Sequence, residues 1–166
     1  FPRYQQGIEV PPERYLGEDE LVRPMKYLVN YLMPPVTKDL VVEEIFRAMF
    51  PGQEQSLAHA MFLQPDDVRR LDEVGMHIAC HSRSHYNLAT ILDVADVRRE
   101  VVASGDEIAA KTAVLPYCFM YPAGGKQGYR PSDVEVGEEY YDFACITGNQ
   151  RDFCTAADPP HELPRI

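Results

Sequence analysis

The order of short apolar runs and helical segments is the feature that most constrains the fold of this chain. Runs typical of β-strands lie at residues 76–80, 117–121 and 143–147. The segments between them, at about residues 94–112 and 132–141, have the apolar spacing of helices. Strands that alternate with helices need crossover connections, and these produce a parallel sheet. The sequence therefore predicts an α/β fold built on parallel strands.

Further helices are predicted ahead of the first of these strands. One begins at Pro24, the next is expected to be capped by Thr37, and a third opens at Pro65. Gly75 suits the left-handed position that follows the last turn of that third helix. Residues 1–23 contain prolines and glycines without periodicity, so they are predicted to form an irregular lead-in.

Length and charge limit the classes of protein to be considered. The 166 residues suffice for a single domain with its own core. A formal net charge of -10 disfavours nucleic acid and anionic membranes as partners, because their phosphates would be repelled. No apolar run approaches the ~20 residues needed to span a bilayer. The chain begins at Phe1 without an initiator Met, so we expect a fragment or a processed chain. No signal peptide is visible, and the cellular compartment is not assigned.

Four residues are predicted to lie in the protein core. Cys80, Cys118 and Cys145 occur in apolar strand-like runs and form no C-x-x-C pair, so they are interpreted as buried free thiols, with a disulfide as the alternative. Gly105 lies inside the longest predicted helix, where glycine costs ~1 kcal/mol relative to alanine. A close packing contact is expected at that position.

The strongest chemical pattern directly follows the first predicted strand. His81 and His85 are separated by Ser-Arg-Ser in a loop after that strand. Loops that follow the carboxyl ends of parallel strands are where α/β folds build their sites. Two imidazoles four residues apart can reach one metal ion, and neutral imidazole suits zinc and other divalent transition metals. Two polar loop histidines without a ligand are the alternative for an isolated pattern of this kind.

Residues 73–88 resemble the second motif of the polysaccharide deacetylase family, whose fold is of the NodB type. That motif consists of a helix end, a glycine, a short strand, a pair of histidines with this spacing and often an Asn-Leu pair, here Asn87-Leu88. The resemblance implies that His81 and His85 bind a divalent metal, usually zinc. His77 falls outside the motif and is interpreted as a core residue or a support for a ligand.

Residues 118–125 are similar to the family's third motif, a strand that ends in a Pro-x-Gly turn. The resemblance implies that this loop forms one wall of a sugar groove and that the backbone N–H of Ala123 helps to hold the developing oxyanion. Loss of one oxyanion donor costs about 2.7–4 kcal/mol in other enzymes. The residues of this loop assigned to the oxyanion or the substrate are Tyr121, Pro122, Ala123 and Gly124.

This loop departs from the commoner family pattern at two positions. Met120 occupies the place where many members have an arginine that orients the catalytic aspartate. Ala123 replaces an aromatic residue, so stacking on the substrate is expected to be weaker. Taken alone, a strand that leads into Pro-x-Gly-Gly is simply a turn.

The C-terminal residues 162–166, Glu-Leu-Pro-Arg-Ile, are similar to the closing strand of one branch of the family. Other branches carry a histidine here that protonates the leaving amine, and this chain lacks it. Arg165 stays protonated and is a poor acid, so it is expected to pair with a carboxylate or to bind substrate. His161 is a candidate for the acid, although a role at the sheet edge is favoured.

The family's first motif, a strand that runs into an Asp-Asp pair, has no clear counterpart. One aspartate of that pair is the general base and the other is the third metal ligand. Residues 18–20 have no strand ahead of them, while Asp66 and Asp67 directly follow Pro65. Both acidic groups are better explained as carboxylates at helix starts. The base is therefore unassigned and expected upstream of Phe1, and the isolated chain should be a poor catalyst.

The resemblance covers residues 24–166, and it implies an incomplete NodB-type (β/α) barrel whose first strand or strands are missing. The implied activity is metal-dependent removal of N-acetyl groups from a polysaccharide or an amino-sugar conjugate. One alternative is an amidohydrolase of the same fold that acts on a small cyclic amide or ureide. A second alternative is a catalytically degenerate homologue that binds sugar.

Overall fold

The computed structural model describes residues 7–12, 15, 17–123, 125, 127–147 and 153–164. The helices within these ranges are α1 (Val22–Tyr27), a π-helical turn (Leu28–Leu32), α2 (Pro35–Met49), α3 (Glu54–Met61), α4 (Pro65–Glu73), a 3₁₀ turn (Leu88–Thr90), α5 (Val94–Thr112) and α6 (Pro131–Glu138). The strands are β1 (Cys118–Met120), β2 (Phe143–Ile146) and β3 (Leu163–Pro164).

The strands form a parallel sheet in the order β1-β2-β3, which confirms the predicted fold class. The predicted strand at residues 76–80 is only partly formed, since Cys80 alone bridges to β1. The N–H of Cys80 donates to Cys118 O at 2.9 Å, and the N–H of Met120 donates to Cys80 O at 2.7 Å. The same register would place Pro116 opposite His77, and proline has no N–H to continue the ladder.

One face of the sheet packs against α5 and α6 and forms the core. Phe119, Ala144 and Ile146 point to this side and are buried together with Val97 and Val101 of α5. On the opposite face the side chains of β2 are only half-buried, as at Phe143 and Cys145. A closed (β/α) barrel would enclose that second face. The half-buried second face of the described strands fits an incomplete barrel.

Helix α5 agrees with its prediction at both ends. The carboxylate of Asp93 accepts the N–H of Ala95 at 2.8 Å, and Ala113 ends the helix in the left-handed conformation. Gly105 is the point of close contact, as predicted. A Cβ at this position would lie 2.6 Å from Tyr141 Oη and 2.7 Å from a ring carbon of Tyr140.

The helices ahead of the sheet begin and end differently from the prediction. Helix α2 starts at Pro35, so Thr37 lies inside its first turn and does not cap it. Proline suits the first helical position because the N–H that it lacks would be unsatisfied there in any case. Helix α3 was not anticipated from the sequence. Helix α4 begins at Pro65 as predicted, and Gly75 follows it with φ 85°.

Helices α2 and α3 expose most of their apolar side chains. No described residue of either helix is buried. We define an α2–α3 apolar surface as six apolar side chains on or just after these helices with exposures between 63% and 73%: Val36, Leu40, Met49, Met61, Phe62 and Leu63. Large amounts of exposed apolar surface promote association between protein molecules.

None of the four cysteines, all of them in the described ranges, forms a disulfide, and the core prediction holds for two of the three. Cys80 and Cys118 are buried, whereas Cys145 is half-buried because it lies on the open face of the sheet. Burial raises the pKa of the Cys118 thiol to about 12. Among the described residues, no helix combines the length and the apolar character needed to span a membrane.

Candidate functional site

His81 leaves the sheet edge at Cys80 and is held by the neighbouring strand. Its Nδ1 lies 2.7 Å from the carbonyl oxygen of Met120 at the end of β1. A carbonyl can only accept, so Nδ1 carries the proton and donates it. The lone pair of neutral His81 is then on Nε2. This arrangement, with one ring nitrogen donating to a carbonyl, is the usual support of a metal-ligating histidine.

His85 is brought beside His81 by two residues in the left-handed region. Ser82 has φ 63° and His85 has φ 54°, so the loop curls tightly between the two histidines. The hydroxyl of Ser82 accepts the N–H of His85 at 2.9 Å. The two ring centroids are 4.9 Å apart, and the planes meet at 83°. The structure thus brings both predicted histidines together.

Glu100 of helix α5 fixes the loop between the histidines. Its carboxylate accepts the N–H of Ser84 at 2.8 Å, and its carbonyl accepts the N–H of Arg83 at 3.2 Å. The Glu100 side chain is buried, which strengthens a charge-assisted bond of this kind. The longest helix therefore positions the histidine loop, a role that the spacing of the sequence did not indicate.

The electrostatic surroundings of His85 favour its neutral form. Desolvation by burial lowers the pKa of His85, and the nearby His81 and the Lys38 ammonium lower it further. Neutral imidazole is the form that binds a metal. Two adjacent rings, one with its tautomer fixed, are a donor set that fits a divalent transition metal.

A third protein ligand is not present in the part of the chain that the structure describes. No group of three His, Cys, Asp or Glu side chains lies close enough there to hold one ion. The acidic candidates have local roles: Asp67 accepts the N–H of Gln64 at 3.0 Å, Asp66 pairs with Arg69, and Asp19 accepts the N–H of Leu21 at 2.8 Å. Asp66 and Asp67 lie in the first turn of α4, as predicted, whereas Asp19 lies ahead of α1 and outside its first turn.

A cavity of about 250 Å³ lies beside His85. Its lining residues are Tyr15, Asn30, Tyr31, His85, Asn87, Pro122 and Ala123. The hydroxyl of Tyr31 donates to Ala123 O at 3.2 Å, which joins the helical lead-in to the loop after β1. Pro122 and Ala123 were predicted to line the site. The tyrosines and Asn30 were missed, because the lead-in carries no motif.

The remaining site predictions have different outcomes. Tyr121 is buried with its ring against Phe119 and Tyr129, so its side chain belongs to the core and does not line the cavity. Gly124 and Arg165 lie outside the described residues. His161 Nε2 forms a hydrogen bond with the carbonyl oxygen of Tyr141 at 2.7 Å. Tyr141 precedes β2, whereas the histidine pair follows the carboxyl end of its own strand.

His77 is exposed, which corrects its interpretation as a core residue. Its ring makes an edge contact with Tyr117, with centroids 5.5 Å apart. Only Cys80 of residues 76–80 pairs with β1, so His77 stays at the surface of an incomplete strand. Within the described ranges, no contact joins His77 to the histidine pair.

Comparison with models of known protein families shows which family the chain belongs to. The family model described as polysaccharide deacetylase matches residues 37–135, more than half of the sequence. The chain belongs to the polysaccharide deacetylase family. The matched region contains both histidines of the pair and the loop that carries Ala123. Among curated proteins, none matches this chain significantly.

Solved structures of polysaccharide deacetylases share the fold. The chain is similar to a polysaccharide deacetylase from Bacillus cereus, with 20% identity and a TM-score of 0.53, over 63% of this chain and 32% of that one. It is also similar to the Streptococcus pyogenes deacetylase PplD, solved in complex with acetate, with 19% identity and a TM-score of 0.55, over 63% and 44%. The chain thus spans about a third of the Bacillus cereus protein's length.

Proposed function

We propose that this polysaccharide deacetylase domain serves a metal-dependent hydrolase that removes N-acetyl groups from a polysaccharide or an amino-sugar conjugate. The adjacent pair of His81 and His85, next to a cavity that contains Ala123, carries the proposal. Family membership supports hydrolysis of a carbon–nitrogen bond. The formal charge of -10 is compatible with a neutral glycan and disfavours a polyanionic substrate.

His81 and His85 would hold the metal, which we infer to be zinc. When bound, such an ion polarises an acyl oxygen and lowers the pKa of a coordinated water. The carbonyl of Met120 orients His81, and the Ser82 hydroxyl with the Glu100 carboxylate orients the loop of His85. The N–H of Ala123 would donate to the oxyanion, a role that a backbone group can fill whatever its side chain.

A second candidate function is sugar binding without catalysis. It is favoured by the lack of a third ligating side chain near His81 and His85 in the described ranges. A site with two neutral ligands lacks the anion that balances the charge of the cation. In this alternative the cavity beside His85 would bind glycan without releasing acetate. Hydrolysis of a small cyclic amide or ureide would use the same histidines and differ only in substrate.

Zinc titration with matched histidine variants tests the metal site. We expect His81→Ala and His85→Ala each to weaken zinc binding by more than tenfold, measured by calorimetry. His77→Ala serves as the control, because His77 is exposed and lies outside the pair. Equal zinc affinity in all three variants would show that the pair is not the site.

Acetate release then separates the candidate functions. Because this chain alone is expected to be a poor catalyst, oligomers of N-acetylglucosamine would be incubated with the zinc-loaded protein extended upstream of Phe1 and with its His81→Ala variant. Release that depends on zinc and His81 supports the deacetylase. Binding of the oligomer without any release supports the sugar-binding candidate.

A further inference from the structure

The wall of the cavity opposite the histidine loop is supplied by an unusual helical segment. After α1, the chain widens into a π-helical turn over Leu28–Leu32, closed by a bond from Met33 N–H to Leu28 O at 2.8 Å. Such turns are rare and are often found at functional sites. Two consecutive residues of this turn, Asn30 and Tyr31, line the same cavity.

The aromatic groups of this wall are held in place by their neighbours. The Tyr31 ring stacks on Tyr27, with centroids 5.2 Å apart and an interplanar angle of 24°. The Tyr31 hydroxyl donates to Ala123 O, and the side-chain amide of Asn30 donates to the hydroxyl of Tyr15 at 2.8 Å. A platform whose rotamers are fixed in this way loses little entropy when a ligand binds.

The lining chemistry selects a neutral ligand with both apolar and polar surfaces. Besides His85, the cavity is lined by tyrosines, asparagines, a proline and an alanine. No lysine or arginine lines it to form an ion pair with a phosphate or a carboxylate. A pyranose ring presents a face of C–H groups and a rim of hydroxyls. Such a ligand can pack on an aromatic face and exchange hydrogen bonds with side-chain amides.

We propose that Tyr31 forms the stacking wall of a sugar subsite that binds one pyranose ring next to His85. The assignment rests on the proposed function, and it names the residue that selects a sugar over other acylated amines. The cavity of about 250 Å³ is smaller than the roughly 300–1,000 Å³ of drug-sized ligand pockets, which suits a single ring. Tyr31 also supplies the aromatic surface that Ala123 does not provide.

Calorimetric titration with an N-acetylglucosamine tetramer tests this subsite. We expect Tyr31→Ala to raise the Kd about fivefold to tenfold, since one aromatic contact is lost. Tyr31→Phe keeps the ring and should bind within about twofold of the wild type. Phe153→Ala, which removes an exposed ring outside the cavity, should leave the Kd unchanged. Circular dichroism of each variant verifies that the fold is retained.

Three results would overturn the subsite. These are equal Kd values for Tyr31→Ala and Phe153→Ala, an equal loss in Tyr31→Phe and Tyr31→Ala, and no binding of the tetramer by the wild-type chain. Acetate release, measured with the protein extended upstream of Phe1, distinguishes this failure from that of the deacetylase proposal. Release with the same kcat/KM in wild type and Tyr31→Ala removes the subsite and keeps the deacetylase. Tetramer binding that depends on Tyr31, without release, keeps the subsite and removes the deacetylase.

Discussion

Two buried tyrosines differ in what their hydroxyl groups contact. Tyr141 Oη donates to the buried carbonyl of Val101 at 2.7 Å, whereas Tyr121 Oη has no hydrogen-bond partner in the described part of the chain. We expect Tyr141→Phe to lower the free energy of unfolding by about 1–2 kcal/mol. Tyr121→Phe should leave it unchanged or raise it slightly. Urea denaturation measures both, and an equal loss in the two variants would contradict the assignment.

Alkaline pH should destabilise the protein through its buried tyrosines. Burial raises the pKa of Tyr121, Tyr129 and Tyr141, and burial followed by the bond to Asp39 raises the pKa of Tyr86 to about 12. In the unfolded chain these groups titrate near pH ~10. Because the folded pKa is the higher one, their contribution to stability is complete below that pH and is lost as pH rises through the folded values.

This pH dependence can be followed by phenolate absorbance together with far-UV circular dichroism. We expect the core tyrosines to ionise only as the helical signal is lost. Ionisation of all the tyrosines near pH ~10 in a protein that keeps its helical signal would show that these groups are not buried.

The residues of the site that could be predicted are those whose signal is local in sequence. His81 and His85 follow a strand-like run at a fixed spacing, and Ala123 follows a Pro-containing turn. Tyr31 reaches Ala123 across 92 positions, and Glu100 reaches Ser84 from another helix. Contacts of that kind depend on tertiary packing, which no spacing in a single sequence encodes. The same limit applies to Tyr121. The alternation of side chains along its predicted strand could not show which face of the sheet is covered by other parts of the fold.

At the scale of single elements, Gly105 of helix α5 and Gly137 of helix α6 form a matched pair for comparison. A Cβ on Gly105 would lie 2.6 Å from Tyr141 Oη, whereas a Cβ on Gly137 would meet nothing closer than Tyr121 Oη at 3.8 Å. We expect Gly105→Ala to destabilise the fold by about 1–3 kcal/mol despite its better helix propensity. Gly137→Ala should be neutral or stabilise by up to ~1 kcal/mol. Thermal denaturation of both variants tests this, and an increase in Tm for Gly105→Ala would refute the close contact.

Element boundaries were predictable where side chains near the ends make their own caps. Helix α5 begins at Val94 and helix α4 at Pro65, and both starts were predicted from the sequence. Helix α2 starts two residues before Thr37, because a proline can occupy the first turn as easily as a cap can precede it. The strand at residues 76–80 fails for a different reason. Strand formation needs a partner, and the partner segment contains Pro116.

At the scale of the whole molecule, the α2–α3 apolar surface is the feature that we expect to promote self-association. Leu40 and Met61 are 63% and 72% exposed, so each contributes little to folding stability. We expect Leu40→Glu and Met61→Glu to reduce self-association while changing the free energy of unfolding by less than ~0.5 kcal/mol. Light scattering over a range of protein concentrations measures the association, and urea denaturation measures the stability.

Leu92→Glu provides the control for this surface. Leu92 is 93% exposed and lies outside α2 and α3, so it adds the same charge without altering the apolar surface. Self-association that falls equally in all three variants would reflect net charge alone. A large loss of stability in Leu40→Glu or Met61→Glu would instead show that the side chain is covered in solution.

The left-handed backbone at position 85 bears on how this protein would respond to engineering. Histidine with a positive φ costs free energy that glycine would not, typically about 1–2 kcal/mol. A library screened only for heat resistance should therefore enrich His85→Gly, and each such winner would have lost one of the two imidazoles. Stability selection on this domain has to be combined with a zinc-binding screen, because heat resistance favours glycine at position 85 whereas metal binding needs histidine there.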